Sequence, residues 1–465
     1  MKRNDMTKEN DMSRFETMPV SKAIFLNAVP AILAMLMVLI YNLADTFFIG
    51  KTNDDIQIAS VSLTTPVFLI YTALGTIFGM GGTSVISRAF GEGRREYAKK
   101  VCSFCMWGCV IMGTLSSVLL VAFVTPLLKL MGASEEVFPY AKSYLCIVAL
   151  CGPFSLISNC FANVLRAEGQ SGRAMMGQLI GNLINVVLDP IFILVLQLNV
   201  KGAAIATVIG NLIGAGYYIV YFLRGKSQLS VSLRDFTAKE KVFTSVMAIG
   251  VPASLGALLM SVSQMVVNSM MANYGDVAVA GYGVASKANM IVGTIGLGLG
   301  QGVAPLLGYS FGSGNRKKLL TYLKWSLFYA FLFGIVAEAV CYFGSAGIIR
   351  AFISSAESEA YQWGVRFFRI LLITDFLFGI YYVLVNTLQA MGKGVASFIV
   401  NVSRQGLVYI PLAILLNSIY HADGLAYAQP VSDVISAVFT LIMTLWALSR
   451  FRKLTETEAQ EEEKA

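Results

Sequence analysis

Five carboxylates fall inside long apolar runs of this chain: Asp45, Asp189, Glu338, Asp375 and Asp433. An ionisable group in such a run is costly, so it faces a bundle interior or water and marks an ion or proton path. The densest chemistry surrounds Asp189, in GNLINVVLDPIFIL at 181–194. Asn185 lies four residues earlier, so both side chains share one helical face. Pro190 follows, and its ring removes the N–H that would bond the Val186 carbonyl. Carboxylate, amide and freed carbonyl make an oxygen-rich set suited to a hard cation. The competing reading is a carboxylate pair that shares a proton and only locks helices together. The second half keeps a proline, Pro411 in QGLVYIPLAIL, but has no acid near it. That asymmetry favours a working site, because a packing device needed by the fold would recur in both halves.

The remaining acids are more open. Asp375 and Asp433 fall near the middle of their runs. There they contact a cationic substrate, or they pair with the in-span cations Lys287 and Arg404. Glu338 is the weakest candidate. Cys102, Cys105 and Cys109 share one helical face, a pattern that a metal site or simple interhelical packing would use. The only histidine, His421, lies far from them in the sequence.

These residues sit in a chain of 465 residues that is 56% hydrophobic and 13% charged. An average soluble domain carries about 25% charged residues. With a mean hydropathy of +0.68, the composition is that of an all-α polytopic membrane protein. Twelve runs are long enough to span a bilayer: roughly 23–49, 58–82, 101–124, 141–162, 175–197, 202–223, 242–271, 277–300, 321–344, 364–388, 395–417 and 424–448. The first is too long for the core of a secretory signal, and no small-residue cleavage site follows it.

Net charge is +8, and the basic residues cluster between runs. With a cytoplasmic N-terminus, the inner segments hold 26 of the 35 lysines and arginines. The outer segments hold Lys51, Lys129, Lys142, Lys201 and Arg350. This asymmetry predicts both termini inside. It explains the charge through orientation in the membrane and leaves no call for nucleic acid. The same orientation groups Asp45, Asp189 and Thr207 in the outer half of the bilayer. At the helical rise, Thr207 lies about 9 Å and Asp189 about 15 Å below the outer surface.

The chain reads as an N-terminal tail (1–22), a six-helix lobe (23–223), a linker (224–241), a second six-helix lobe (242–448) and a tail (449–465) whose acidic end reads as disordered. The halves repeat at an offset of about 222 residues. Val29-Pro30 recurs as Val251-Pro252, GTIFGMGG at 75–82 as GTIGLGLG at 293–300, AFGEGRR at 89–95 as SFGSGNR at 310–316, and NVLRAEG at 163–169 as NTLQAMG at 386–392. Six helices per half predict two bundles related by a pseudo-two-fold axis along the membrane normal, able to alternate access to a cavity. Gly225-Lys226-Ser227 looks like the end of a P-loop, but Val220 stands where the first glycine belongs. The glycines of 296–302 suit close helix packing better than dinucleotide binding. Without a motor motif, transport is driven by an ion gradient, and no cofactor is expected.

Those features resemble the multidrug and toxic compound extrusion (MATE) transporters, within the multidrug/oligosaccharidyl-lipid/polysaccharide flippase superfamily. DTFFIG after the first span, NVLRAEG, NVVLDP and PLLGYSFGSGN carry the likeness, the last in the manner of the MepA-type bacterial branch. The resemblance implies export of cationic amphipathic compounds in exchange for H⁺ or Na⁺, by a monomer working in the cell membrane. One branch of the family binds its coupling ion with an aspartate on helix 1, an asparagine and aspartate four apart on helix 5, and a threonine on helix 6. Asp45, Asn185, Asp189 and Thr207 match that set and would hold H⁺ or Na⁺. The other branch's helix-7 glutamate has no counterpart in 242–271. Asp375 stands near that branch's helix-10 aspartate, at a different offset from LQAMG. A lipid-linked precursor flippase is the alternative, but it would need a cationic cavity, and Lys287 and Arg404 are few. An intramembrane enzyme finds no histidine or Ser–Lys constellation.

Overall fold

The computed structural model describes residues 14–51, 54–353, 355 and 357–462. The first part of the N-terminal tail and the last residues of the acidic tail lie outside the described residues. The spans are α1 (Val20–Gly50), α2 (Asp55–Gly91), α3 (Arg95–Leu130), α4 (Phe138–Ala149 and Gly152–Ala167), α5 (Ser171–Pro190) and α6 (Asn199–Leu223). In the second half they are α7 (Val242–Met271), α8 (Asp276–Gly312), α9 (Arg316–Phe343) and α10 (Glu359–Leu372 and Phe376–Ala390). α11 begins as Gly394–Val402, passes through a π-helical turn at Ser403–Val408 and runs on into Tyr409–Glu462. That last stretch breaks at His421 (φ 54°, ψ −133°), where α12 begins.

Among the described residues, nine helical stretches are long and apolar enough to cross a bilayer, and the two bent pairs bring the number to eleven. One of the nine, Gly394–Phe451, contains the His421 break and is therefore two spans, so the sequence's twelve runs stand. Two compact units emerge by contact. One includes Leu33–Ser254, the other Met18–Ile32 and the chain from Leu255 onward. Each cut falls just past the proline of a repeated Val-Pro pair, Pro30 in α1 and Pro252 in α7.

The sequence repeat is a repeat of local structure. Gly93 (φ 74°) and Gly314 (φ 67°) end α2 and α8 in the left-handed conformation, as Gly169 (φ 80°) and Gly392 (φ 75°) end α4 and α10. Only glycine adopts this without a Cβ penalty. The hydrogen bonds repeat too: Gln170 N–H donates to the Leu165 carbonyl and Lys393 N–H to the Leu388 carbonyl, both at 2.8 Å.

The 224–241 segment is docked on the first unit. Ser103 Oγ on α3 donates to the Ser232 carbonyl (2.7 Å), Trp107 Nε1 to the Val231 carbonyl (3.2 Å), and Lys100 pairs with Glu240 (2.8 Å). Ser227 is buried and donates to Glu168 at 2.8 Å. A carboxylate therefore faces the hydroxyl of the Gly-Lys-Ser triplet, which repels a phosphate. The α8 glycines pack closely, as their spacing suggested: a Cβ on Gly298 would stand 2.6 Å from Ile32 Cα, and one on Gly302 2.5 Å from Ala28 Cα.

Candidate functional site

α5 and α6 meet through glycine. A Cβ on Gly210 would come 2.8 Å from the Gly181 carbonyl, and one on Gly181 would come 2.8 Å from the Gly210 carbonyl. This close approach sets Thr207, one turn before Gly210, against Asn185, one turn after Gly181. The Asn185 amide lies 3.3 Å from Thr207 Oγ1. In the orientation that satisfies both its ends, Nδ2 donates to Asp189 Oδ2 at 3.1 Å and Oδ1 accepts from the Thr207 N–H at 3.1 Å. Asp189, Asn185 and Thr207 are all buried. After Pro190 the helix widens into a π-helical turn, Ile191–Val195, which Leu196 N–H closes on the Ile191 carbonyl at 2.8 Å. Such turns recur where a helix is interrupted at functional sites.

Asp45 on α1 is close enough to Asp189 for their charges to interact. One oxygen of each, Asp45 Oδ1 and Asp189 Oδ1, is buried and has no hydrogen-bond partner among the described residues. Neither acid is ion-paired there. Buried polar atoms without partners are uncommon in native structures and call for an explanation. A cavity of about 160 Å³ opens within the first unit. Its lining includes Asn185 and Thr207 with four further amides: Asn159, Gln178, Asn182 and Asn211. Among the described residues, no lysine or arginine lines it. Of the four residues named for ion binding, Asn185 and Thr207 border this polar space, whereas Asp45 and Asp189 are not among its lining residues, and Asp189 reaches it only through its contact with Asn185. The donor set is all oxygen, which fits Na⁺ or a proton and not a softer metal. Among the described residues, no cluster of three or more His, Cys, Asp or Glu side chains could hold a metal. The α3 cysteines serve packing instead: Cys105 donates to the Phe78 carbonyl (3.5 Å) and Cys109 to the Leu156 carbonyl (3.7 Å).

In the second unit, Asp433 is committed to Arg404. Its Oδ1 accepts from Nε at 2.8 Å and from Nη2 at 2.7 Å, with both side chains about 95% buried (4% and 5% exposed). The guanidinium lies over the Phe378 ring (4.5 Å) and the Tyr381 ring (4.8 Å). Lys287 is exposed and makes no ion pair among the described residues. Asp375 lies in the 49° bend of α10. It accepts from Asn289 Nδ2 at 3.3 Å, and its Oδ2 is buried with no hydrogen-bond partner among the described residues. Glu338 has a structural task that the sequence did not disclose. Its Oε2 accepts from the Phe376 N–H at 3.0 Å, satisfying a donor that the bend of α10 frees.

Arg166 lies beyond the 141–162 apolar run of the sequence. It lies inside the second segment of α4, is 1% exposed, and donates to Asn163 (2.9 Å) and to Gln178 (3.0 Å), which lines the cavity. The signal was present in the repeat. Gln389 stands at the matching position, so the turn itself needs no charge, and Gln389 likewise reaches the next helix, at Ser397 (3.0 Å).

Twelve apolar spans, an internal repeat, buried carboxylates without ion-pair partners among the described residues and a polar cavity within the membrane-spanning region define a membrane transporter. The MatE family model matches the chain twice, over residues 30–191 and 252–415, and the chain belongs to the MatE family. It is 30% identical over 438 residues to the multidrug export protein MepA of Staphylococcus haemolyticus (strain JCSC1435), covering 94% of this chain and 96% of the relative. To MepA of Staphylococcus aureus (strain MSSA476) it is 28% identical over the same coverage. A solved structure, MATE in complex with MaL6, superposes with a TM-score of 0.89 at 25% identity, covering 94% of this chain and 98% of that one. Members of this family are transporters and not enzymes.

Proposed function

We propose that the chain is a secondary active multidrug exporter that moves cationic amphipathic compounds out of the cell in exchange for H⁺ or Na⁺ by alternating access. The observation that carries this reading is a buried oxygen on each of Asp45 and Asp189 with no hydrogen-bond partner among the described residues, joined through Asn185 to an amide-lined cavity. The names of the relatives, multidrug export proteins, support the substrate class. Asp45, Asn185, Asp189 and Thr207 bind the coupling ion as cargo, and Asp375 is the second-lobe acid left to meet substrate or proton. A flippase of phosphate-linked precursors is not favoured, because the first-unit cavity carries no cation to meet a pyrophosphate.

Vesicles containing the protein and an ethidium-like dye, with sodium and proton gradients imposed separately, test the reading. Gradient-driven dye movement under at least one ion is expected. Dye fluxes equal to protein-free vesicles under both would sink it and raise the flippase reading.

The proposal includes orientation and lobes: a monomer with lobes 23–223 and 242–448, both termini and the 224–241 linker cytoplasmic. Single cysteines at the exposed positions Lys226 and Lys201 of a cysteine-free version should react from opposite sides. Labelling of both by an impermeant reagent from outside the cell would overturn this topology.

A further inference from the structure

One open space in the second unit is lined by none of Glu338, Asp375 and Asp433. It is a cleft of about 550 Å³ where α9 ends and α10 and α12 begin. Tyr342, Tyr361, Arg366, Arg369, Ile373 and Tyr427 line it. No acid is among its lining residues. Along the first segment of α10 and the residue that caps it, Gln362, Arg366, Arg369 and Ile373 are spaced by four, three and four, so they form one stripe down the helix. The stripe runs from polar at the helix start, through two guanidinium groups, to an isoleucine that is 50% exposed.

The two arginines differ. Arg366 is paired with Asp423 and lies over the Trp363 ring at 5.6 Å. Arg369 has no ion pair among the described residues. It is nevertheless held in place: Nε donates to Ser345 Oγ at 2.9 Å, and the guanidinium lies 5.6 Å from the Tyr342 ring. The same short helix, Ser345–Arg350, is tied to the cleft through Tyr361 OH, which donates to the Ala346 carbonyl at 3.2 Å. A fixed guanidinium with donors to spare suits a phosphate oxyanion. Tyrosines around it and an exposed apolar step below it suit the boundary between headgroup and acyl chain. A free anion would use the arginine and leave the apolar wall bare.

We propose that this cleft is a binding site for one anionic membrane phospholipid. Its phosphodiester docks on Arg369, with Arg366 contributing as its pairing with Asp423 allows, and an acyl chain runs along Ile373 and Tyr427. A volume of about 550 Å³ falls in the range of small-molecule sites, roughly 300–1,000 Å³. That admits a glycerophosphate headgroup and its first methylenes. The basic-residue orientation puts the site in the outer leaflet, but its chemistry does not depend on the leaflet.

The test is native mass spectrometry of the full chain in detergent, titrated with phosphatidylglycerol or phosphatidylcholine. The parent should retain one phosphatidylglycerol in preference to phosphatidylcholine. Arg369→Gln should bind phosphatidylglycerol about fivefold more weakly, the effect of one interfacial cation on an anionic lipid. Arg369→Lys keeps the charge and should retain most of the affinity, which separates loss of charge from loss of fold. Ile373→Asp should weaken binding as well, and millimolar inorganic phosphate should leave lipid binding unchanged. Parent-like affinity in Arg369→Gln overturns the proposal. So does equal uptake of phosphatidylcholine, or displacement of the lipid by inorganic phosphate, which would mark a site for free anions.

Discussion

Replacing Asp189 with asparagine is expected to abolish ion-driven export while leaving the folded protein in the membrane. Asparagine keeps the shape of the side chain and its contact with Asn185, but it fixes the charge at zero. Two neighbouring carboxylates can alternate between holding a cation and sharing a proton, since burial, a bound cation and nearby donors push a carboxylate between its two forms. An ion drives a transport cycle only through a difference in its affinity for the outward and inward states. Removing one of the two acids removes that difference, typically about 1–3 kcal/mol of coupling between sites. Asp45→Asn should behave alike, because its Oδ1 is the other buried oxygen without a partner. Asn185→Ala and Thr207→Ala should weaken ion dependence without ending transport. If the acids only lock helices together, the outcome reverses: an amide preserves a hydrogen-bonded lock, and export survives. The measurement is gradient-driven dye export at matched expression. Parent-like rates with unchanged ion dependence in Asp189→Asn would leave Asp189 as packing.

How far the site was readable from sequence follows from spacing. Asn185 and Asp189 are four apart on one helix, so their shared face needed no structure. Thr207 was grouped with them by depth and by the family resemblance, and the contact that realises the grouping is the Gly181–Gly210 approach. A glycine's part in such an approach is visible only with its partner helix in place. Arg404 and Asp433 are 29 residues apart on different helices, and periodicity cannot choose between Asp433 and Asp375 as the arginine's partner.

The spans show a similar division. Apolar runs fixed the number of crossings, because only the membrane-embedded part must be apolar. They underestimated α2, α3 and α8, which run on to Gly91, Leu130 and Gly312, because backbone hydrogen bonding continues into the aqueous ends. The bends of α4 (57°) and α10 (49°) were not readable as bends. The α10 bend has no proline at the break, and it depends on a carboxylate from α9 to satisfy the freed Phe376 N–H. That dependence also explains an acid at Glu338, which looked unassigned when only its own helix was considered.

Arg404→Met is expected to destabilise the protein by about 3–5 kcal/mol, the cost of breaking a buried ion pair from one side. Asp433 would keep its burial and lose its guanidinium partner, and Phe378 and Tyr381 would lose the cation over their rings. Asp433→Leu alone strands Arg404 in the same way, with the aromatic rings as partial compensation, so its effect should be smaller. The double replacement, Arg404→Met with Asp433→Leu, removes both charges and should recover most of the loss, since buried pairs are often no more stable than apolar residues of similar volume. Thermal unfolding in detergent at constant protein and detergent concentration reads the four proteins. An Arg404→Met protein that melts with the parent would show that the pair is not holding the second unit together. A double variant that folds but no longer exports would assign the pair to the transport cycle, because stability would then be restored and only the charges would be missing.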